Sequence, residues 1–242
     1  MIGFTSCKKE TITPATENLS KQAVTVTPPQ STTKTPLIST ETGKSYSYSY
    51  VYDSQGRVSQ IFRSTFNSVS TFTYGINKYS EKYVDDKYTF NIDYSMSDNK
   101  VIKRFNKDTG NSTYYTYDVN DRVKKFIDND FFNDKTIDVE YYYEYDSKGN
   151  VIKTVGQNMS TLVFSDTTYY EYKGKIINTI GRKNNGSIYM GKEDKYVPSR
   201  IFRKDSKGKI TYEQQYTYTV VAGKITERID TETGDKITYT YE

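Results

Sequence analysis

Histidine and tryptophan are absent from these 242 residues, and cysteine occurs once, at Cys7. Without histidine the chain lacks the usual general base near neutral pH, the usual activator of a serine or cysteine nucleophile, and the commonest metal ligand. A lone thiol forms no internal disulfide and no thiolate cluster. Zinc enzymes and Ser-His-Asp hydrolases are therefore excluded, and no metal or cofactor is expected. Long apolar runs are missing as well: 26% of residues are charged and the mean hydropathy is −0.81. No stretch approaches the ~18 apolar residues that a membrane-spanning helix needs. The net charge of +4 is modest and calls for no nucleic-acid partner.

What the chain has in abundance is tyrosine, 26 in all and none before Tyr46. Ser45 to Phe62 reads S-Y-S-Y-S-Y-V-Y-D-S-Q-G-R-V-S-Q-I-F, so Tyr46, Tyr48, Tyr50 and Tyr52 fall at period two, on one face of a strand. Asp53-Ser54-Gln55-Gly56 reads as a tight turn, with Gly56 free to take positive φ. A hairpin closed there sets Tyr52 opposite Val58, Tyr50 opposite Gln60 and Tyr48 opposite Phe62, with Asp53 facing Arg57. Tyr115 to Val123 and Tyr141 to Val155 repeat the unit clearly. Weaker copies surround Asp98-Asn99, Lys173-Gly174, Asp205 to Gly208 and Ala222-Gly223.

Turn signals every 8–12 residues between such runs predict an all-β antiparallel meander of about 14–17 short strands, with no helix. That many twisted strands form one wide sheet that curls, open or closed into a barrel. Gly56, Gly149, Gly174, Gly208 and Gly223 are its turn glycines; valine at Gly56 or Gly149 should cost more than about 1 kcal/mol, whereas Gly43 should tolerate it. Lys124, Lys125, Arg63 and Glu144 in mid-strand argue for a water-soluble sheet, because an outer-membrane barrel carries an outward apolar band.

Residues 8–44 differ in kind. Pro14, Pro28, Pro29 and Pro36 lie there among threonines with no aromatic residue, a composition that cannot offset its ordering entropy. We expect a flexible linker, spanning roughly 30–35 Å as a coil, ahead of a domain at 45–242. Phe4-Thr5-Ser6-Cys7, in segment 1–7, resembles a bacterial lipobox, which implies lipidation at Cys7. The alternative is an unpaired thiol on an unstructured terminus, since a signal peptide has a longer apolar core than the six residues before Cys7 provide.

Tyr50 to Val58 and Tyr143 to Val151 look like the YD repeat of Rhs-type and insecticidal-toxin shells, which are far longer chains. Residues 45–242 are more similar to short Bacteroidetes lipoproteins whose repeat domain is described as having a porin-like fold. That resemblance implies a rolled antiparallel sheet on a lipid anchor at the outer membrane or cell surface of a Gram-negative bacterium. It supplies no catalytic motif.

For function, Tyr46, Tyr48, Tyr50, Tyr115, Tyr141 and Tyr143 are candidate ligand-facing aromatics for a surface glycan or an extended peptide; a ladder of this kind is equally the core face of a sheet. Residues 128–146 hold seven acids against Lys135, net −6, while 173–209 hold eleven bases against three acids, net +8. Lys173, Lys175, Arg182, Lys183, Arg200 and Arg203, with Lys204, form a candidate anion patch; the alternative is a solvated surface. The aspartates of the turns are explained by Asx geometry rather than calcium. The expectation is a non-catalytic envelope protein, a scaffold or a binder of a surface glycan, peptide or partner protein. The alternative is a polysaccharide-acting enzyme with paired carboxylates.

Overall fold

The computed structural model describes residues 37–132, 135–158, 164–181 and 189–242. Its strands are β1 (Ile38–Thr42), β2 (Ser47–Tyr52), β3 (Val58–Arg63), β4 (Ser68–Gly75), β5 (Lys78–Val84), β6 (Thr89–Ser97), β7 (Lys100–Asn106) and β8 (Ser112–Tyr117). They continue as β9 (Val123–Phe132), β10 (Lys135–Tyr145), β11 (Val151–Asn158), β12 (Phe164–Glu171), β13 (Arg200–Lys204), β14 (Ile210–Val221), β15 (Lys224–Asp230) and β16 (Lys236–Tyr241). Each pairs antiparallel with its neighbours in sequence, and β1 pairs with β16, so the sheet closes into a barrel. The meander expected from the turns is present, and closure removes every exposed sheet edge.

Closure depends on a strand that composition conceals. Ile38–Thr42 fall in the stretch expected to be linker, yet they form β1 and join β2 to β16. The domain therefore begins near residue 37, not 45. Thr40 and Thr42 suit a strand, and Ile38 is 1% exposed. Gly43 is not a neutral site either: an added Cβ would lie 2.4 Å from the Tyr46 ring.

An up-and-down meander puts alternate turns at opposite ends of the barrel. The β2–β3, β6–β7, β8–β9, β10–β11 and β14–β15 turns share one end, the near end. Gly56, Gly149, Gly174, Gly208 and Gly223 all have positive φ, from 72° to 91°. In the first turn Asp53 Oδ1 accepts from the backbone N–H of Gln55 and Arg57, while Oδ2 takes the Arg57 guanidinium at 2.6 Å. Asp118 repeats this with Asn120 and Arg122, and Asp146 with Lys148 and Asn150.

The strand register departs from the simple hairpin by one residue. Tyr52 does face Val58, but a bulge follows, so Tyr50 faces Ile61 rather than Gln60, and Tyr48 faces Arg63 rather than Phe62. The bulge recurs in the β6–β7, β8–β9, β10–β11 and β14–β15 hairpins. Because the side-chain period is two, one extra residue exchanges the faces of everything beyond it. Val58 and Ile61 thus both point inward and are buried, while Phe62 is 42% exposed and Arg63 turns inside.

Seven tyrosine hydroxyls, on or just after even-numbered strands, tie each of these to the strand before it; in β6 Met96 takes that place. Tyr52 Oη donates to the carbonyl of Ile38 at 2.7 Å, Tyr74 to Val58 at 2.7 Å, Tyr117 to Val101 at 2.6 Å and Tyr145 to Val123 at 2.6 Å. Tyr172 donates to Val151 at 2.7 Å, Tyr218 to Pro198 at 2.7 Å and Tyr241 to Ile225 at 2.6 Å. Six of these acceptors are β-branched residues no more than 6% exposed, and Ile38, Val58, Val101 and Ile225 among them belong to one apolar core cluster.

Two outcomes test this account. Tyr145→Phe should cost about 1–2 kcal/mol, because it strands a buried carbonyl; Tyr114→Phe, on the outer face, should leave the denaturation midpoint unchanged. A chain starting at residue 45 should lose cooperative unfolding and self-associate through the bared edges of β2 and β16, whereas one starting at residue 37 should unfold as the full chain does.

Candidate functional site

The near end of the barrel is covered by described residues of the connection between β12 and β13, 172–181 and 189–199. Where the sequence suggests another hairpin around Lys173-Gly174, the described residues pair only locally: Ile177 bridges Tyr196, and Val197 N donates to Ile176 O at 3.0 Å. The segment instead crosses the barrel mouth. Tyr189 O accepts from Val101 N at 2.9 Å, Asp194 Oδ1 from Val151 N at 2.9 Å and Thr179 Oγ1 from Ile225 N at 2.9 Å. The three valine and isoleucine residues whose carbonyls take tyrosine hydroxyls thereby have their N–H groups satisfied by the plug. Tyr189 packs on Tyr79 and Tyr74 at ring separations of 5.8 and 6.3 Å. Sequence reasoning missed this plug.

Below that floor the inward face changes character. The second tyrosine of each hairpin faces a residue that varies: Tyr50 faces Ile61, Tyr94 Arg104, Tyr115 Phe126, Tyr143 Thr154 and Tyr218 Arg228. On one wall a hydrogen-bonded chain runs across five strands. Arg63 donates to Ser70 Oγ at 2.8 Å, Ser70 to Glu81 at 2.6 Å and Tyr94 Oη to Glu81 at 3.0 Å, with Arg104 on the Tyr94 hydroxyl. On the adjoining β1 and β2, Tyr46 and Tyr50 donate to Glu41 at 3.2 and 3.3 Å, and further round Arg228 of β15 lies 5.2 Å over the Tyr216 ring of β14. Toward the far end the lining sees solvent: Tyr212 is 41% exposed, beneath Arg203. The interior is a cup, floored at the near end and solvated at the far end.

The six candidate aromatics all line this cup. Tyr50 is buried, whereas Tyr46, Tyr48, Tyr115, Tyr141 and Tyr143 are half-buried. Tyr46 and Tyr48 lie 5.0 Å apart, and Tyr141 stacks on Phe126 at 4.4 Å. The candidate basic residues are not brought together. Lys173 and Lys175 are in the plug, and Arg182 and Lys183 lie outside the described residues, as does Cys7. Arg203 points inward, while Arg200 on the outer face pairs with Glu171 at 3.0 Å and Glu213 at 2.8 Å. Lys204, also outward, covers the Tyr169 and Phe202 rings. Of the acidic cluster, Asp128 faces inward and takes the Thr113 hydroxyl at 2.8 Å.

The outer face is charged in mid-strand: Lys125 pairs with Glu140 at 3.0 Å and Lys153 with Glu144 at 2.7 Å. A single lysine or arginine facing lipid at the bilayer midplane costs about 2–4 kcal/mol, and here such residues recur on successive strands. The outer face therefore lacks an unbroken apolar band.

Two groups of ionisable residues are displaced in opposite directions. For Asp53, Asp118 and Asp146, burial acts upward but is outweighed by turn N–H groups and the Arg57, Arg122 or Asn150 side chain, which hold the carboxylates low. Burial pushes the phenols of Tyr50, Tyr79, Tyr94, Tyr172, Tyr218 and Tyr239 well above their usual range, with Glu41 adding at Tyr50 and Asp194 at Tyr172.

No family model matches the chain, and no curated protein does. Two solved structures share its architecture. A porin-like protein from Bacteroides vulgatus superposes with a TM-score of 0.62 at 15% identity, covering 86% of this chain and 99% of that one. A porin-like protein from Bacteroides uniformis gives 0.61 at 15% identity, covering 85% and 98%. The chain thus has a porin-like fold, with sixteen antiparallel strands closed end to end.

The ionisation pattern defines a pH window. A depressed carboxylate stabilises the fold above its unfolded pKa, and that contribution is lost as pH falls through the folded value. A raised phenol stabilises below its unfolded pKa, and that contribution is lost as pH rises through the folded value. With no histidine to titrate between, the melting temperature should be flat from about pH 5 to 9 and fall below about pH 4 and above about pH 10. The buried phenols should ionise only together with alkaline unfolding, as a distinct step in phenolate absorbance; complete ionisation while the protein is still folded would contradict the buried ladder.

Proposed function

We propose that this protein is a non-catalytic binding module of the cell envelope, holding a surface glycan in the solvated half of the barrel. The observation that carries the reading is the asymmetry of the interior. At the near end the lining is apolar and sealed by the plug, while toward the far end tyrosines and charged side chains stay accessible. A pre-formed concavity lined by aromatic rings with convergent polar groups is the usual form of a small-molecule or oligosaccharide site.

The charged outer face supports a barrel that stands beside the membrane rather than in it. Leu37 and Glu242 meet at the near end, where Glu242 N donates to Leu37 O at 3.1 Å. A lipid at Cys7 would hold the barrel by its plugged end.

A glycan array probed with the full chain should retain a defined subset of oligosaccharides, and Tyr46→Ala with Tyr48→Ala should weaken retention at least tenfold. Hydrolysis of a retained glycan, or retention unchanged by the interior variants, would sink the reading. Mass spectrometry of the native protein should show acylated Cys7 as its first residue; an unmodified Cys7 would remove the anchor.

A further inference from the structure

The arginines of this barrel divide by location. Those on the turns and outer face are ion-paired: Arg57 with Asp53 at 2.6 Å, Arg122 with Asp118 at 2.5 Å, and Arg200 with two glutamates. Arg63, Arg104 and Arg228 point into the cup, from β3, β7 and β15, and none of them forms a salt bridge with a described residue. Their nearest carboxylates are already engaged. Glu81 accepts from Ser70 and Tyr94, and Glu41 from Tyr46 and Tyr50. Each guanidinium has five N–H donors. Arg63 directs one to Ser70 and lies between the rings of Tyr48 and Tyr83, and Arg104 bonds the Tyr94 hydroxyl. Arg228 lies 5.2 Å over the ring of Tyr216, with Tyr239, Tyr218 and Glu41 within electrostatic reach.

A guanidinium removed from bulk water without an acceptor is costly unless something supplies one. All three arginines are half-buried rather than sealed, so an incoming group can reach them. In the closed strand order, β3 and β7 are four strands apart, as are β15 and β3. Donors therefore project from more than one wall toward a shared space. Planar guanidinium forks match carboxylate and sulfate oxygens in paired fashion. Around them stand flat, half-exposed rings, Tyr46 beside Tyr48 on one wall and Tyr141 on Phe126 across the barrel. Ring faces with hydroxyl edges suit sugar rings, which carry apolar C–H faces and a polar rim.

We infer that the cup binds an acidic oligosaccharide, its carboxylate or sulfate groups docking on Arg228, Arg104 and Arg63 and its sugar rings lying on the tyrosine walls. This rests on the proposed function and narrows it to a charge class. It differs from an anion patch on the 173–209 segment, whose basic residues are scattered over plug, exterior and interior.

The test uses the full chain on an array that pairs uronate-, sialate- and sulfate-bearing oligosaccharides with neutral ones of matching backbone, beside acidic peptides. Calorimetry on the best acidic oligosaccharide then compares wild type, Arg228→Gln, Arg104→Gln and the outer-face control Arg200→Gln, each checked by thermal melting. The acidic glycan should bind at least tenfold more tightly than its neutral counterpart, with an affinity that falls as salt rises. Arg228→Gln and Arg104→Gln should each weaken it tenfold or more, and Arg200→Gln should not. Equal affinity for the neutral glycan, or interior variants that bind as wild type does, overturns the inference while leaving a glycan-binding cup in place. A salt-insensitive affinity overturns it without recourse to any variant. Preference for acidic peptides overturns the glycan assignment. Retention of nothing on the array overturns the proposed function as well.

Discussion

The hydrogen bond from a tyrosine hydroxyl to a carbonyl at or beside the start of the preceding strand is the contact on which the barrel depends. A hairpin alone specifies two strands and leaves the next hairpin free to slide. The tyrosine removes that freedom, because its ring must reach past the intervening turn to one particular carbonyl. Where Arg57 and Arg122 follow the turn, the link is doubled. Arg57 lies 4.1 Å over the ring of Tyr74 and Arg122 4.5 Å over that of Tyr145, so each Asp-anchored guanidinium holds a tyrosine of a later strand. Two of these hydroxyl bonds stand beside the seam, Tyr241 to Ile225 and Tyr52 to Ile38. The first and last hairpins are thus tied by the same device as the interior ones, and the ring closes without a special joint.

Much of this was legible in the residues. Alternating tyrosines and Asp-x-x-Gly turns mark strands, turns and antiparallel order, because those signals are local and each has a backbone cause. Three features lay beyond such reasoning, for different reasons. The bulge is a one-residue displacement that leaves turn and composition unchanged; its only trace is an apolar or varied residue three places after the first β-branched one, as in Val58 and Ile61. β1 is five residues of Ile-Ser-Thr-Glu-Thr whose strand character comes from pairing with β16, some two hundred residues away. The plug has no period because it is not a repeat; its residues are chosen for the N–H groups they meet, such as Asp194 for Val151. The site was half legible. The aromatic residues were found because they are the repeat itself, while Arg63, Arg104 and Arg228 were not, since their inward direction depends on the bulge.

The two faces of the sheet handle charge differently. Outside, lysines and glutamates on neighbouring strands pair across the ladder in water, where each pair contributes little to stability. Their consequence is an outer face that is charged in mid-strand rather than a continuous apolar band. Inside, carboxylates are matched to hydroxyls rather than to arginines. Tyrosine and serine hydroxyls take the carboxylate oxygens of Glu41 and Glu81, and the guanidinium groups retain donors. An interior built of direct ion pairs would be quieter chemically and would offer less to a ligand.

This separation follows from the geometry of the repeat. The floor layer, of β-branched residues each bonded through its carbonyl to a tyrosine, tolerates little change, because a lost methyl opens a cavity and a lost hydroxyl leaves a buried carbonyl unsatisfied. One bulge further along the strand, the facing residue is isoleucine, arginine, phenylalanine, threonine and arginine at Ile61, Arg104, Phe126, Thr154 and Arg228. The tyrosine opposite each accommodates an aliphatic, an aromatic or a cation equally, through packing, stacking or a hydroxyl contact. Stability is concentrated in one ring of the barrel and chemical variety in the next. The same hairpin can therefore recur around the wall while the surface it presents to the cavity differs from strand to strand.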